Sequence, residues 1–188
     1  MTSNNVNSQK EASEVGAELL ASCLAGDRRG QLKLYESTHG LVYRLMVRMV
    51  GFQEAADLTQ QVYLKLFSKI DQFSGHSRFE TWLYRLAMNE ALQYLRKNSR
   101  KKTAVLAGDP VSPQRPEAER GEQREILEVA MSRIDPELRS IFLLREVEGM
   151  SYRDIAEVVE IPEGTVGSRL NRARRDLQNH LLELGWRA

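Results

Sequence analysis

The stretch Ser151–Leu177, SYRDIAEVVEIPEGTVGSRLNRARRDL, decides the fold. Ser151 opens it as a helix cap, and Asp154 three residues on completes a capping box with Asp in place of the usual Glu. The first helix is short. Glu160-Ile161-Pro162 follows, with the proline suited to the first position of the next helix. At 100° per residue that helix, Glu163 to about Asn179, gathers Val166, Leu170, Ala173 and Leu177 within about 60°, a stripe that faces a core. The opposite face carries Thr165, Ser168, Asn171, Arg172 and Arg175, flanked by Arg169 and Arg174. Short side chains at the start let a helix approach base edges in a major groove. Arginines further along fork onto guanine or clamp phosphates. Taken alone, an Arg-rich face is more often simply solvated. The short capped helix, the turn and the core stripe together point to a helix-turn-helix.

Upstream, Ile126, Val129 and Ile134 mark a helix that should stop before Asp135-Pro136, and Leu138, Ile141, Phe142 and Arg145 begin another. Asn98 to Arg124 is polar and aperiodic and contains Pro110, Pro113 and Pro116, so it reads as a linker. In the first half, Leu58, Val62, Leu66 and Ile70 form one apolar stripe over Glu54–Ile70. A second stripe starts at Trp82 and Leu86 and continues through Glu90 to Leu92 and Leu95, over Phe79–Arg96. Asp27 is placed to cap a helix containing Leu32, Leu34 and Tyr35. Neither half alternates as a strand would. The expectation is an all-α protein of two small helical domains joined by a flexible linker, the C-terminal one containing the helix-turn-helix. Its parts are a frayed N-terminus (1–13), a first domain (14–97), the linker (98–124) and a second domain (125–185).

Composition narrows the function. The chain has 188 residues, 41% hydrophobic and 28% charged, so it can bury a core and stay soluble. Lys plus Arg is 27 and Asp plus Glu 26, a formal charge of +1, which excludes a strongly cationic coat. Residues 125–188 hold nine Lys/Arg against twelve Asp/Glu, a formal charge of −3. Non-specific DNA affinity is mainly phosphate neutralisation, so this half should bind duplex weakly alone and need a partner to hold it there. A single cysteine, Cys23, excludes an internal disulfide and fits a reducing compartment. The longest apolar stretch, Leu41 to Val50, is broken by Arg44 and Arg48, and the first ten residues carry no apolar signal region. A cytoplasmic protein is expected. Cys23, His39, His76 and His180 are scattered singly, and Gly26-x-x-x-Gly30 lacks the Lys-Ser/Thr of a phosphate loop. No enzyme, metal site or cofactor is expected.

The segment from Phe73 to Asn89, FSGHSRFETWLYRLAMN, is the other informative one. A loop, Ser74-Gly75-His76-Ser77, precedes aromatics at 79, 82 and 84 that lie among Arg78 and Arg85, with Arg96 and Lys97 beyond. Aromatic faces beside cations suit unpaired bases. Phe73 and Phe79 read better as core, whereas Trp82 is expected to bury one edge and expose one face.

Two stretches carry a family resemblance. Ile70–Leu95 resembles region 2 of bacterial extracytoplasmic-function (ECF) sigma factors, whose pattern F-x-G-x-S-x-F-x-T-W-L-Y-R-I-A-x-N is matched except for Leu86 in place of Ile. Ile134–Leu177 resembles region 4, with its R…L-R-x-x-x-G-x-S-Y and P-x-G-T-V-x-S-R-x-x-R-A-R patterns. Asp57 to Phe67 is similar to the family's D-L-x-Q-E-x-F helix, with Gln61 for Glu. The match covers about 15–97 and 125–182 in the family's order. Gly167 stands where the family often has Lys or Arg, Glu160 where it often has Gly, and Gln93 where it often has Asp.

The resemblance implies a promoter-specificity subunit of RNA polymerase. Asp57, Gln60, Gln61 and Lys65 would dock on the clamp helices of the largest polymerase subunit. Trp82, Arg85, Asn89, Gln93 and Arg96 would open the −10 element and hold its single strand. Thr165, Ser168, Arg169, Arg172 and Arg175 would read the −35 element in promoter DNA. An anti-sigma factor is the further implied partner. The rival reading is a stand-alone helix-turn-helix regulator, which explains the second half but not the loop-and-Trp segment.

Overall fold

The structure, a computed structural model, describes residues 15–104 and 120–186. All their regular structure is helical: α1 (Ala17–Leu24), α2 (Arg28–Val50), α3 (Phe52–Lys69), α4 (Phe79–Ala104), α5 (Arg120–Arg133), α6 (Pro136–Glu146), α7 (Tyr152–Val159) and α8 (Glu163–Glu183). A single 3-10 turn, Ile70–Gln72, follows α3. The described residues fall into two compact units, one of residues 15–47 and 51–90, the other of 48–50 and 91 onward. The division falls inside α4, where no change of composition marks it. Helix also covers both ends of the 98–124 stretch, through residue 104 and again from 120. A Lys/Arg-rich run continues a helix already nucleated at little cost. The remainder of that stretch, and the 1–13 segment, lie outside the described residues.

Local rules account for the first unit. Asp27 caps α2, accepting from the backbone N–H of Arg29 at 3.1 Å and of Gly30 at 3.2 Å, while Ser22 Oγ donates to its carboxylate at 2.7 Å. Gly30 is needed there, because a Cβ would stand 2.3 Å from Ser22 Oγ. Gly51, at φ 90°, both ends α2 and opens α3, reversing the chain in one residue. The stripe read on α3 is buried throughout, Leu58, Val62, Leu66 and Ile70 alike.

On α4 the core face differs in part from the one expected, although Trp82 and Glu90 are buried. Leu83, Ala87, Met88 and Ala91 are fully buried, whereas Leu86, Leu92 and Leu95 are half-buried. Small residues at close helix contacts do not stand out as a stripe, and steps of four drift by 40° each time.

In the second unit, α8 packs against α5, α6 and α7, and α6 against α7. Helix α5 stops at Arg133, and Asp135 caps α6 by accepting from the Glu137 and Leu138 N–H groups at 2.9 and 3.3 Å. Ser151 caps α7, accepting from Asp154 N–H at 3.1 Å. Asp154 does not complete the reciprocal box; its carboxylate accepts from the Ser151 hydroxyl at 2.6 Å instead. Glu160 then turns the chain at φ 55°, ψ 48°, the single non-glycine with positive φ among the described residues. Pro162 sits just before α8 rather than in its first turn, and α8 runs one turn beyond Asn179. Buried Arg139 donates from Nη2 to the carbonyls of Ser132 and Ile134, at 3.2 Å each, which holds the end of α5. Burial pushes its guanidinium below the usual range, with Asp135 opposing.

Candidate nucleic-acid and polymerase interfaces

Helix α8 presents two faces, as its period requires. Val166, Leu170 and Ala173 are fully buried, and Leu177 packs on the cluster of Ile134, Leu138 and Ala173. Ser168, Asn171, Arg172 and Arg175 are exposed, and Thr165 is half-buried at the first turn. The structure sorts the arginines, which the sequence could not. Arg169 reaches Glu137 on α6 at 3.5 Å, and Arg174 gives two N–H groups to Glu146 on α6. Arg172 makes only a loose pair with Asp176, one turn on, at 3.9 Å. Arg175 is exposed and makes no ion pair with another described residue. Gly167 sits against the helix before it, where a Cβ would lie 3.5 Å from the Tyr152 ring. Arg145 covers that ring with its guanidinium 5.3 Å from the centroid, and donates to the Met150 carbonyl at 2.7 Å.

Four of the five residues expected to contact the −10 strand share one side of α4. Asn89, Gln93 and Arg96 are exposed and Arg85 is half-buried. On a helical layout they fall within about 80°. Trp82 lies at the end of the same line but does not expose a face: it is only 6% exposed. The rings of Phe73 and Phe79 stand 5.7 and 5.8 Å from it, and 5.6 Å from each other. Phe79 is buried as expected. The loop carrying Phe73 folds back against the helix start, and that contact helps remove Trp82 from solvent.

On α3, Asp57, Gln60 and Gln61 are exposed on one side. Lys65 is committed elsewhere, as the ion-pair partner of Glu90 on α4. Beside Gln60 opens an apolar groove between α2 and α3, lined by Tyr35, His39, Tyr43, Ala56, Tyr63, Leu64 and Phe67. Leu64 is 65% exposed. It sits opposite the buried stripe, an unmatched leucine on a polar face that could have signalled the groove. Tyr63 forms the groove floor. Its hydroxyl is shared with buried Thr38 at 2.8 Å, and its ring meets Tyr35 edge-on at 4.7 Å. Burial pushes the Tyr63 phenol up to about 12, with the Thr38 bond opposing and Tyr35 adding, so it stays neutral near pH 7.

Among the described residues no group of three or more His, Cys, Asp or Glu is placed to hold a metal ion. No described helix is long and apolar enough to cross a membrane.

Residues 34–101 match the family model for sigma-70 region 2, and residues 124–177 that for sigma-70 region 4. The chain belongs to the sigma-70 family, in its ECF branch. It is 33% identical over 172 residues to the ECF RNA polymerase sigma-E factor of Haemophilus influenzae, covering 85% of this chain and 91% of that one. To the RNA polymerase sigma-H factor of Pseudomonas aeruginosa it is 32% identical over 185 residues, covering 91% and 96%. Among solved structures, the fold is similar to that of sigma factor RpoE of Bartonella quintana in complex with the anti-sigma factor NepR. There the TM-score is 0.64 at 23% identity, over 79% of this chain and 94% of that one. CnrH, in complex with the cytosolic domain of CnrY, gives 0.62 at 22% identity, over 87% and 94%. Sigma factors are transcription initiation factors rather than enzymes.

Proposed function

We propose that this chain binds core RNA polymerase, brings it to promoters bearing −35 and −10 elements, and helps melt the −10 element. The observation that carries the reading is the division of α8: a fully buried stripe behind an exposed face of Ser168, Arg172 and Arg175. That face enters the major groove at the −35 element, with Thr165 at its start. Arg169 contributes once phosphate displaces Glu137, since an exposed ion pair is worth only about 0–1 kcal/mol.

The exposed line Arg85, Asn89, Gln93 and Arg96 tracks the displaced −10 strand, with buried Trp82 supporting it from beneath. Melting costs roughly 1–2 kcal/mol per base step, offset by trapping a displaced base. Polymerase meets Asp57, Gln60 and Gln61 together with the Leu64 groove. The −3 charge of residues 125–188 supports a reader that acts only when tethered, where polymerase supplies effective concentration. The protein works in the cytoplasm, and an anti-sigma factor covers its polymerase-binding surfaces until it is needed. RpoE and CnrH, similar in fold, were each solved with such a partner or a cytosolic domain bound.

The test mixes the purified chain with bacterial core polymerase and fragmented genomic DNA from its source, and maps the transcripts. Discrete starts that share spaced −35 and −10 sequences and are absent without the chain are expected. No transcripts, with tight duplex binding by the chain alone, would replace this reading with a stand-alone regulator. A pull-down from the host that returned polymerase but never a second small protein would count against the anti-sigma partner.

A further inference from the structure

Glu90 is the single carboxylate among the described residues buried to within a few per cent of completely. Its side chain is 6% exposed, and it accepts from Lys65 Nζ, whose own side chain is 44% exposed. A carboxylate stripped of water requires a cation held in good geometry, whereas an exposed ammonium has no such need of its partner. The lysine charge is therefore claimed from inside the protein. That conflicts with a role for Lys65 as a polymerase contact alongside Asp57, Gln60 and Gln61, because a partner that drew Nζ away would leave Glu90 unpaired.

The position of the pair suggests its use. Glu90 follows Asn89 directly, and Gln93 lies about 60° around the helix from it, so the carboxylate borders the exposed line of α4. The buried side of α4 is made of Leu83, Ala87, Met88 and Ala91, two of them alanines that grip a neighbour weakly against rotation. A charge-assisted bond from α3 has direction, which such a contact lacks.

We propose that Lys65 and Glu90 are positioning residues: an ionic strut from α3 that fixes the rotation of α4 and so aims Arg85, Asn89, Gln93 and Arg96 at the displaced strand. This rests on the function proposed above. The strut acts on the opening step and leaves polymerase affinity alone.

The test compares full-length wild type, Lys65→Met, Glu90→Gln, the neutral double variant and the charge swap Lys65→Glu/Glu90→Lys. Each is assayed for binding to core polymerase by fluorescence anisotropy. Each is then assayed for open complexes on a promoter mapped with wild type, as duplex and with a pre-melted −10 bubble. Lys65→Met should bind polymerase within about twofold of wild type, yet open the duplex about tenfold less well, a coupling of the size that contacting pairs show. The pre-melted bubble should recover most of that loss, and the charge swap should recover duplex opening. A large loss of polymerase affinity that the swap does not repair would make Lys65 a polymerase contact and overturn the proposal. Should Lys65→Met fail to fold by circular dichroism, the neutral double variant decides. Wild-type opening from that variant reduces the pair to packing, and defective opening rescued by the bubble supports the strut. Failure of wild type itself to open any promoter would sink the function proposed above instead.

Discussion

Helices α8 and α4 bury their inner faces in different ways. On α8, Val166, Leu170 and Ala173 are fully buried and Leu177 half-buried, opposite exposed Ser168, Asn171, Arg172 and Arg175. On α4, Asn89, Gln93 and Arg96 are exposed and Arg85 half-buried, but Trp82 is buried, and the inner face is built from Leu83, Ala87, Met88 and Ala91. Helix α8 receives α5, α6 and α7 on its apolar side, so one periodic stripe describes its environment. The start of α4 is also roofed by its own preceding loop, through Phe73. Period tells which side of a helix a residue is on, and a returning loop can bury either side.

Trp82→Ala is the strongest way to break that contrast. As a buried member of an aromatic cluster, Trp82 should cost roughly 3–5 kcal/mol of stability on truncation, read by urea denaturation of the full chain. Promoter opening should then follow the folded fraction. A loss below about 1 kcal/mol, with an opening defect rescued by a pre-melted bubble, would return Trp82 to the strand-contact set.

On α8 the opposite pattern is expected. Arg172→Ala and Arg175→Ala should each lower transcription from a −35-dependent promoter by about tenfold, the scale of one to two kcal/mol for a base or phosphate contact. Stability and polymerase binding should stay unchanged. Arg174→Ala should have less effect on transcription, because its guanidinium is held by Glu146. Equal effects from all three would show that the ion pairs on α6 do not sort the arginines.

Glu160→Gly sharpens the helix-turn-helix itself. Glutamate at φ 55° carries a left-handed conformation that costs about 1–2 kcal/mol, so glycine should raise the melting temperature by a few degrees after its own entropy is subtracted. No rise would mean that the turn gains as much from the glutamate side chain as it loses in backbone strain.

The smallest effect lies at the start of α2. The Asp27 carboxyl is held below its usual range, first by the Ser22 hydroxyl and then by the Arg29 and Gly30 N–H groups. A depressed carboxyl contributes stability above its unfolded pKa near 4 and loses it as pH falls through the folded value. As pH falls below about 4, wild type should therefore lose stability more steeply than Asp27→Asn, which keeps a capping side chain without a titrating one. Parallel acid limbs would remove Asp27 from the acid response.

What could be read along the chain was local. Helix starts were legible at Asp27 and Ser151, because a cap bonds within three residues. The stops before Asp135-Pro136 and around Pro162 follow from proline's own geometry. The buried stripes of α3 and α8 were legible for the same reason: one face of each meets the core along its length. The groove beside Gln60 was not, since its aromatic wall comes from α2 while its leucine comes from α3.

Legible along the chain were the all-helical class, the helix-turn-helix, the exposed face of α8 and the family. Each of these depends on spacing within one helix or on a motif a few residues long. Folding alone roofs Trp82, sets Lys65 against Glu90, and pairs Arg169 and Arg174 with α6 while leaving Arg175 unpaired with it. Lys65 and Glu90 are 25 residues apart, and Arg174 and Glu146 are 28. No helical period reaches that far. Burial and charge pairing are set by which elements meet, and only the folded chain brings them together.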